Sequence, residues 1–305
     1  MKTALAWMLS MWLLYGCAGE AGSSSTEDLE PEQDFEEQYG ELGYVPVLGA
    51  PVVHDPHFFL TRLIYSIDFP IKHLVIYYND ADPAIKMQMK HIAANNRNLL
   101  AIPAQPPMGV ADGWNTILRA FPAEKWFFIC AYDIQFLPGA LEIMVQRFVS
   151  EAMAFAFMWA ENAHASGYNT MALASSLIDV AGYFDTNIFP AFHEDTEWSI
   201  RLKRLDPPCE PTVLREAKYI HGFRSDTEYI SGVSRIGNEA KKAISHASQR
   251  NCAYVAEKWG CPVGVCYMWE NCTYSHPFNN SAHPVSYWHL DTARRAELVN
   301  LYHTA

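Results

Sequence analysis

A chain of 305 residues that is 50% hydrophobic, 13% aromatic and only 18% charged has enough apolar surface for one large domain, which excludes general disorder. Its net charge of −12 excludes unassisted binding to nucleic acid or to an anionic membrane, because both need a concentrated positive face to displace counterions. Much of that charge lies in residues 27–41, EDLEPEQDFEEQYGE, a run of self-repelling carboxylates that reads as a solvated linker and says little about a substrate.

The chain opens on MKTALAWMLSMWLLYGCAGEAGSSS, in which Lys2 precedes an apolar run from Ala4 to Tyr15. A bilayer core needs about 20 apolar residues, so this run reads as a secretory signal, with a signal-anchor as the other reading if it is not cleaved. Leu14 to Cys17 also loosely matches a bacterial lipoprotein box, although Tyr15 is atypical there. The organisation expected is a signal or anchor over 1–19, an acidic flexible linker over 20–43, a main domain over 44–230 and a helical, Cys-rich extension over 231–305. The expected location is the secretory pathway, in the Golgi or ER lumen, or outside the cell; membrane attachment is expected only if the leader is an uncleaved anchor.

From Tyr44 onward short apolar runs alternate with amphipathic helices, the pattern of an α/β protein with a mostly parallel central sheet flanked by helices. Tyr44 to Val53 reads as a strand, Phe58 to Ser66 as a helix and His73 to Tyr78 as a second strand. Asn79-Asp80-Ala81-Asp82-Pro83 ends that strand, and Pro83 suits the first turn of a helix running to about Asn95. Leu99 to Ile102 is strand-like, and Gly109 to Phe121 reads as a helix carrying Asn115. The run KWFFIC, Lys125 to Cys130, is apolar enough for a strand buried on both faces and delivers Asp133 just beyond its end. A helix from Ala140 to Phe148 follows, then strands over Met153 to Trp159 and Thr170 to Ala174. Helices are expected over Ser176 to Ala181, Asp195 to Lys203 and, as one long stretch, Val233 to Trp259.

Cys252, Cys261, Cys266 and Cys272 crowd into the tail. Their spacings lack the Cys-x-x-Cys knuckles of zinc ribbons, so disulfides are the reading preferred over a metal site, with the pairing open. The sequons Asn271-Cys272-Thr273 and Asn279-Asn280-Ser281 fit a glycoprotein in an oxidising compartment.

In open α/β sheets ligands bind beyond the carboxyl ends of the strands, so the polar residues there are the candidates. Asn79, Asp80 and Asp82 either hydrogen-bond a ribose or base, or form an Asx-turn that caps the next helix. Asp133 is either a metal ligand or a structural hydrogen-bond partner. In Ala181 to Arg204, AGYFDTNIFPAFHEDTEWSIRLKR, the acids Glu194 and Asp195 open a helix whose end is basic, as its dipole favours. Asp195 is then either an N-cap or a general base, with the neighbouring acids ionised to anchor it. Trp198 either packs inward or stacks on a ligand.

These elements resemble, over about Tyr44 to Ser225, the inverting glycosyltransferases of the GT-A fold, the large family typified by cellulose, chitin and rhamnose transferases. MGVADGWNTIL, Met108 to Leu118, is similar to the family's segment before its metal strand. WFFICAYDIQFLPGAL, Trp126 to Leu141, is similar to the strand carrying its D-x-D motif, with Ala131 in place of the first aspartate and Gln135 nearby. AGYFDTNIFPAFHEDTEWSIRLKR resembles the segment whose aspartate is the base, and KYIHGFRS, Lys218 to Ser225, its late histidine segment. The resemblance implies a Rossmann-like nucleotide-diphospho-sugar transferase fold and metal-dependent transfer, with inversion, from a nucleotide-diphosphate sugar to a hydroxyl on a glycan, glycoprotein or lipid. It implies Asp195 and Glu194 as catalytic residues, Mn2+ or Mg2+ held by Asp133 and His221, and donor contacts from Asn79, Asp80, Asp82, Gly109, Asn115 and Asp133. Two other classes stay open. One is a degenerate secreted protein that binds sugars or nucleotide sugars without turnover. The other is a sugar nucleotidyltransferase, disfavoured because VLGAPVVHDPHF lacks a basic, Gly-rich triphosphate loop.

Overall fold

The computed structural model describes residues 35–40, 42–52, 56–79, 83–104, 109–162, 168–224, 229–230, 238–262 and 272. The leader, the linker up to residue 34, Asp80, Asp82, Cys266 and the second sequon lie outside the described residues. Among the described residues no helix is long and apolar enough to cross a membrane.

A short helix α1 (Phe35–Tyr39) precedes the regular alternation β1 (Val45–Val52), α2 (Pro56–Tyr65), β2 (Ile71–Asn79), α3 (Pro83–Ala94), β3 (Leu99–Ala104), α4 (Val110–Ala120) and β4 (Trp126–Cys130). Then come β5 (Ile134–Phe136), α5 (Ala140–Ser150), β6 (Phe155–Ala160), β7 (Thr170–Ala174), α6 (Ser175–Ala181) and α7 (Glu194–Lys203). The remaining elements are β8 (Thr212–His221), the small ribbon β9 (Phe223–Arg224) with β10 (Tyr229–Ile230), and α8 (Asn238–Trp259). The long C-terminal helix expected from Val233 is therefore described from Asn238, and residues 231–237 lie outside the described set.

The main sheet has eight strands in the order β3-β2-β1-β4-β7-β6-β8-β5. Its four parallel pairings, β3/β2, β2/β1, β1/β4 and β6/β8, outnumber the antiparallel β4/β7, β7/β6 and β8/β5. The expected α/β architecture with helices on both faces is thus present, around a mixed sheet. β4 shows why: all of Trp126 to Cys130 is buried, with Trp126, Phe128 and Cys130 in one core cluster and Phe127 and Ile129 in the other. On the first face lie Leu60, Leu63, Met89, Met144 and Phe148; on the second lie Trp114, Ile117, Leu177, Trp198 and Leu202. Helix α4 packs closely on the sheet where Gly49 and Gly113 leave room: a Cβ at Gly49 would stand 2.5 Å from Ile117 Cγ2, and one at Gly113 2.8 Å from Pro51 Cβ. Since β1 to β4 run parallel, the ends Val52, Asn79, Ala104 and Cys130 all lie at one edge, and the start of α4 is brought there too.

Candidate active site

Two acidic groups form at that edge. The first is Asp133, just past β4. Ala131 N–H donates to Asn169 O (2.9 Å), and the chain then turns into β5, whose antiparallel pairing sets Ile134 opposite His221. Gly222, in the left-handed region at φ 64°, lets its N–H reach Asp133 O at 2.7 Å. The side chains meet as a result: His221 Nε2 lies 3.4 Å from Asp133 Oδ1, with Asp133 only 9% exposed. Asn162, absent from the sequence expectations, fixes the His221 backbone from both sides, donating from Nδ2 to His221 O (2.7 Å) and accepting from His221 N (2.9 Å). Gln135, two residues on, accepts from Arg62 at 2.7 Å, and the guanidinium lies 4.8 Å from the Phe223 ring centre. Asp133 and His221, 88 positions apart by number, are therefore brought into contact.

The second group is the pair Glu194 and Asp195 at the start of α7. The N-cap is His193, so Asp195 is not the capping residue; it sits within the first turn and accepts from Thr196 N (2.7 Å) and Thr196 Oγ1 (3.3 Å). The displacement follows from the backbone. Phe192 and His193 hold φ of 71° and 79°, and Glu197 N–H donates to His193 O, so the helix begins one residue before Asp195. Each such left-handed bulky residue costs on the order of 1–3 kcal/mol and persists only where the surroundings enforce it. The enforcement comes from α8: Asn251 donates to Ala191 O and Phe192 O, and Ser248 Oγ lies 3.1 Å from His193 Nε2.

Burial sets the protonation of the acid pair. It pushes Glu194 up to about 8, with the Asp195 charge as the second cause. It pushes Asp195 upward as well, opposed by the hydrogen bonds from Thr196. Among the described residues Glu194 Oε2 has no hydrogen-bond partner, while Asp195 has two donors that favour its ionised form. Burial thus favours the protonated form of both acids, and only Asp195 has donors from Thr196 that oppose it. Glu197 pairs with Arg201 and Lys258, whereas Glu194, expected to stay ionised beside Asp195, is pushed toward its protonated form by burial.

Between about pH 4.5 and 8, folded Glu194 keeps a proton that an unfolded glutamate has lost, so its contribution to stability declines as pH rises through that window. His193, lowered by burial, acts in the opposite sense near its ordinary value. Thermal unfolding of Glu194→Gln alongside the parent should separate the two. The parent is expected to lose several degrees more than the variant between pH 5 and 8; parallel curves would contradict a protonated Glu194.

Other candidates take structural places. Asn115 is fully buried, and its amide both donates to Phe184 O (2.8 Å) and accepts from Phe184 N (2.9 Å), bracing the loop before α7 instead of facing a donor. Gly109 is where that loop rests on α4: Val110 N–H donates to Pro190 O at 2.8 Å, and a Cβ at Gly109 would stand 2.8 Å from the same oxygen. Trp198 is 1% exposed, donates to Gly182 O and packs on Phe155 and Phe184, so it is a core residue. Asn79 ends β2, pairing with Ala104 in register.

The acid groups are joined through the 168–169 turn. Asn169 holds Ala131, two residues from Asp133, while the Tyr168 hydroxyl bonds Ser199 Oγ on α7. Beneath α7 lies a buried ionic network that sequence inspection missed. Lys258 Nζ is 2.6 Å from Asp185 Oδ2 and 2.8 Å from Glu197 Oε1, Arg201 pairs with Glu197 at 2.7 Å, and Tyr254 donates to Asp185 at 3.0 Å. Lys258, Asp185, Glu197 and Arg201 are essentially inaccessible to solvent. Cys261 and Cys272 form a disulfide just beyond α8, in line with the preference for disulfides over zinc, and Cys252 is disulfide-bonded too. Among the described residues no group of three or more His, Cys, Asp or Glu is arranged to hold a metal ion.

No family profile and no curated protein matches the chain. Among solved structures, it is similar to S. aureus TarS 1-349 in complex with UDP-GlcNAc, with a TM-score of 0.49 and 13% identity over 69% of this chain and 65% of that one. It is also similar to GalNAc-T7 with UDP, GalNAc and Mn2+, with a TM-score of 0.49 and 8% identity over 82% of this chain and 57% of that one. The chain thus spans less than two thirds of the length of either.

Proposed function

We propose that this chain is a metal-dependent, inverting glycosyltransferase of the GT-A type that moves a sugar from a nucleotide-diphosphate donor to an acceptor hydroxyl. The observation that carries the reading is the placement of Asp195, half-buried in the first turn of α7, at the same sheet edge as Asp133 and His221. Asp195, ionised and half-buried, takes the proton of the acceptor hydroxyl. The acceptor oxygen then attacks the anomeric carbon as the diphosphate leaves on the opposite side, so one displacement inverts the centre. Glu194, neutral, keeps a second negative charge away from the approaching oxygen.

Asp133 and His221 offer one carboxylate oxygen and one imidazole nitrogen, a donor set that suits a manganese or magnesium ion only when phosphate oxygens complete its shell. That fits an ion arriving with the donor. When bound there, the ion would neutralise charge on the leaving diphosphate.

Thermal shift with UDP, GDP and their sugars, each with and without Mn2+, tests this. A nucleotide at about 100 times its Kd adds about 2.7 kcal/mol, a rise of several degrees that should need Mn2+ and vanish in Asp133→Ala. Manganese-dependent hydrolysis of the donor that gave the rise would separate the enzyme from a protein that only binds. Stabilisation by no nucleotide, or equal stabilisation of the variant, would contradict the assignment.

A further inference from the structure

The residue just before the α7 cap is an aromatic in a conformation aromatics rarely hold. Phe192 has φ 71° and is 42% exposed, three positions before Asp195. An apolar residue in this place ordinarily folds back on the fourth helical residue as a hydrophobic staple. Here that residue is Glu197, buried and paired with Arg201 and Lys258, so it offers no apolar surface. The turn is instead held from behind. Asn251 is fully buried, and its amide donates to Ala191 O (3.0 Å) and Phe192 O (3.2 Å) while accepting from Phe189 N (3.4 Å). A buried side chain of α8 thus fixes the backbone turn that carries an exposed aromatic ring three positions before Asp195.

We propose that Phe192 is an acceptor-binding residue, a flat apolar plate for the C–H face of a pyranose ring whose hydroxyl is delivered to Asp195. The proposal rests on the transferase reading above and narrows its acceptor class to a sugar. A pyranose turns axial C–H groups to one face and hydroxyls to its rim, so an exposed aromatic ring binds that face without needing a polar partner.

Saturation-transfer NMR on the full chain, with methyl β-glucoside and N,N′-diacetylchitobiose as probes and glycerol as a control, tests the plate. Signal at the axial ring protons is expected in the parent and in Phe192→Trp, with a fall of about fivefold in Phe192→Ala and Phe192→Gly. Phe192→Gly should be at least as heat-stable as the parent, because glycine accepts the left-handed turn, which removes misfolding as a cause. The Mn2+-dependent UDP thermal shift should be the same in all four proteins. Unchanged probe signal in Phe192→Ala, or no probe signal in a parent that responds to UDP, would overturn the plate. A Phe192-dependent sugar signal without any UDP response would uphold the plate and sink the donor assignment, so the two failures are distinguishable.

Discussion

Replacing Asp195 by asparagine is expected to lower sugar transfer by about 10²- to 10⁴-fold, the contribution of a positioned general base, while leaving nucleotide affinity within about twofold. The introduced amide oxygen can still accept from Thr196 N–H, so the first turn of α7 keeps its local bond. Because burial already works against the Asp195 charge, the neutral substitute should not lower thermal stability. A structural role would give the reverse pattern, with stability falling and turnover kept. Initial rates at saturating donor, nucleotide titration and a melting curve on the same preparation distinguish the two; transfer within tenfold of the parent would remove Asp195 from the chemistry.

The second large effect lies away from the reacting groups. Lys258→Met leaves Asp185 and Glu197 buried with Arg201 as their remaining cation, and breaking one partner of a buried ionic set costs about 3–5 kcal/mol. For a domain of this size that is on the order of 10 °C in Tm. Adding Asp185→Asn restores charge balance and should recover part of the loss. By contrast Arg147→Ala, which removes pairs that are nearly half exposed, should change stability by less than about 1 kcal/mol. A Lys258→Met protein as stable as the parent would mean that the network does not hold α8 against the acid-bearing segment.

That network also shows where sequence inspection stops. The alternation of strands and helices up to β4 was readable because buried parallel strands are apolar without interruption, as in WFFIC, and because Pro83 punctuates them. β8 was not, since in TVLREAKYIH only Leu214, Ala217 and Tyr219 are buried, without strict alternation, and the strand slips register against β6 between Met158 and Trp159. β5, three residues long, carries too little pattern to be seen. Yet these two strands bring His221 to Asp133, a pairing that only the family resemblance suggested.

The acid motif HED was visible as residue types, but its geometry was not. Left-handed backbone at Phe192 and His193 has no glycine to announce it, and it depends on Asn251, about 60 positions away. The same distance in sequence hid Asn115, which looked like a ligand at the start of a helix and proves to clasp Phe184, 69 residues on. Lys258, inside a helix that reads as polar, gave no sign of being buried, because its partners Asp185 and Glu197 belong to another part of the chain. Burial also reversed the expected state of Glu194, a property that residue identity alone does not carry.

The most direct test is a crystal structure of the chain with UDP and Mn2+. Asp133 and His221 would be the residues that hold the metal, with the diphosphate bound beside them and the Asp195 carboxylate open to the same site. A diphosphate bound away from Asp133, or an Asp195 carboxylate walled off from it, would contradict a shared catalytic cleft.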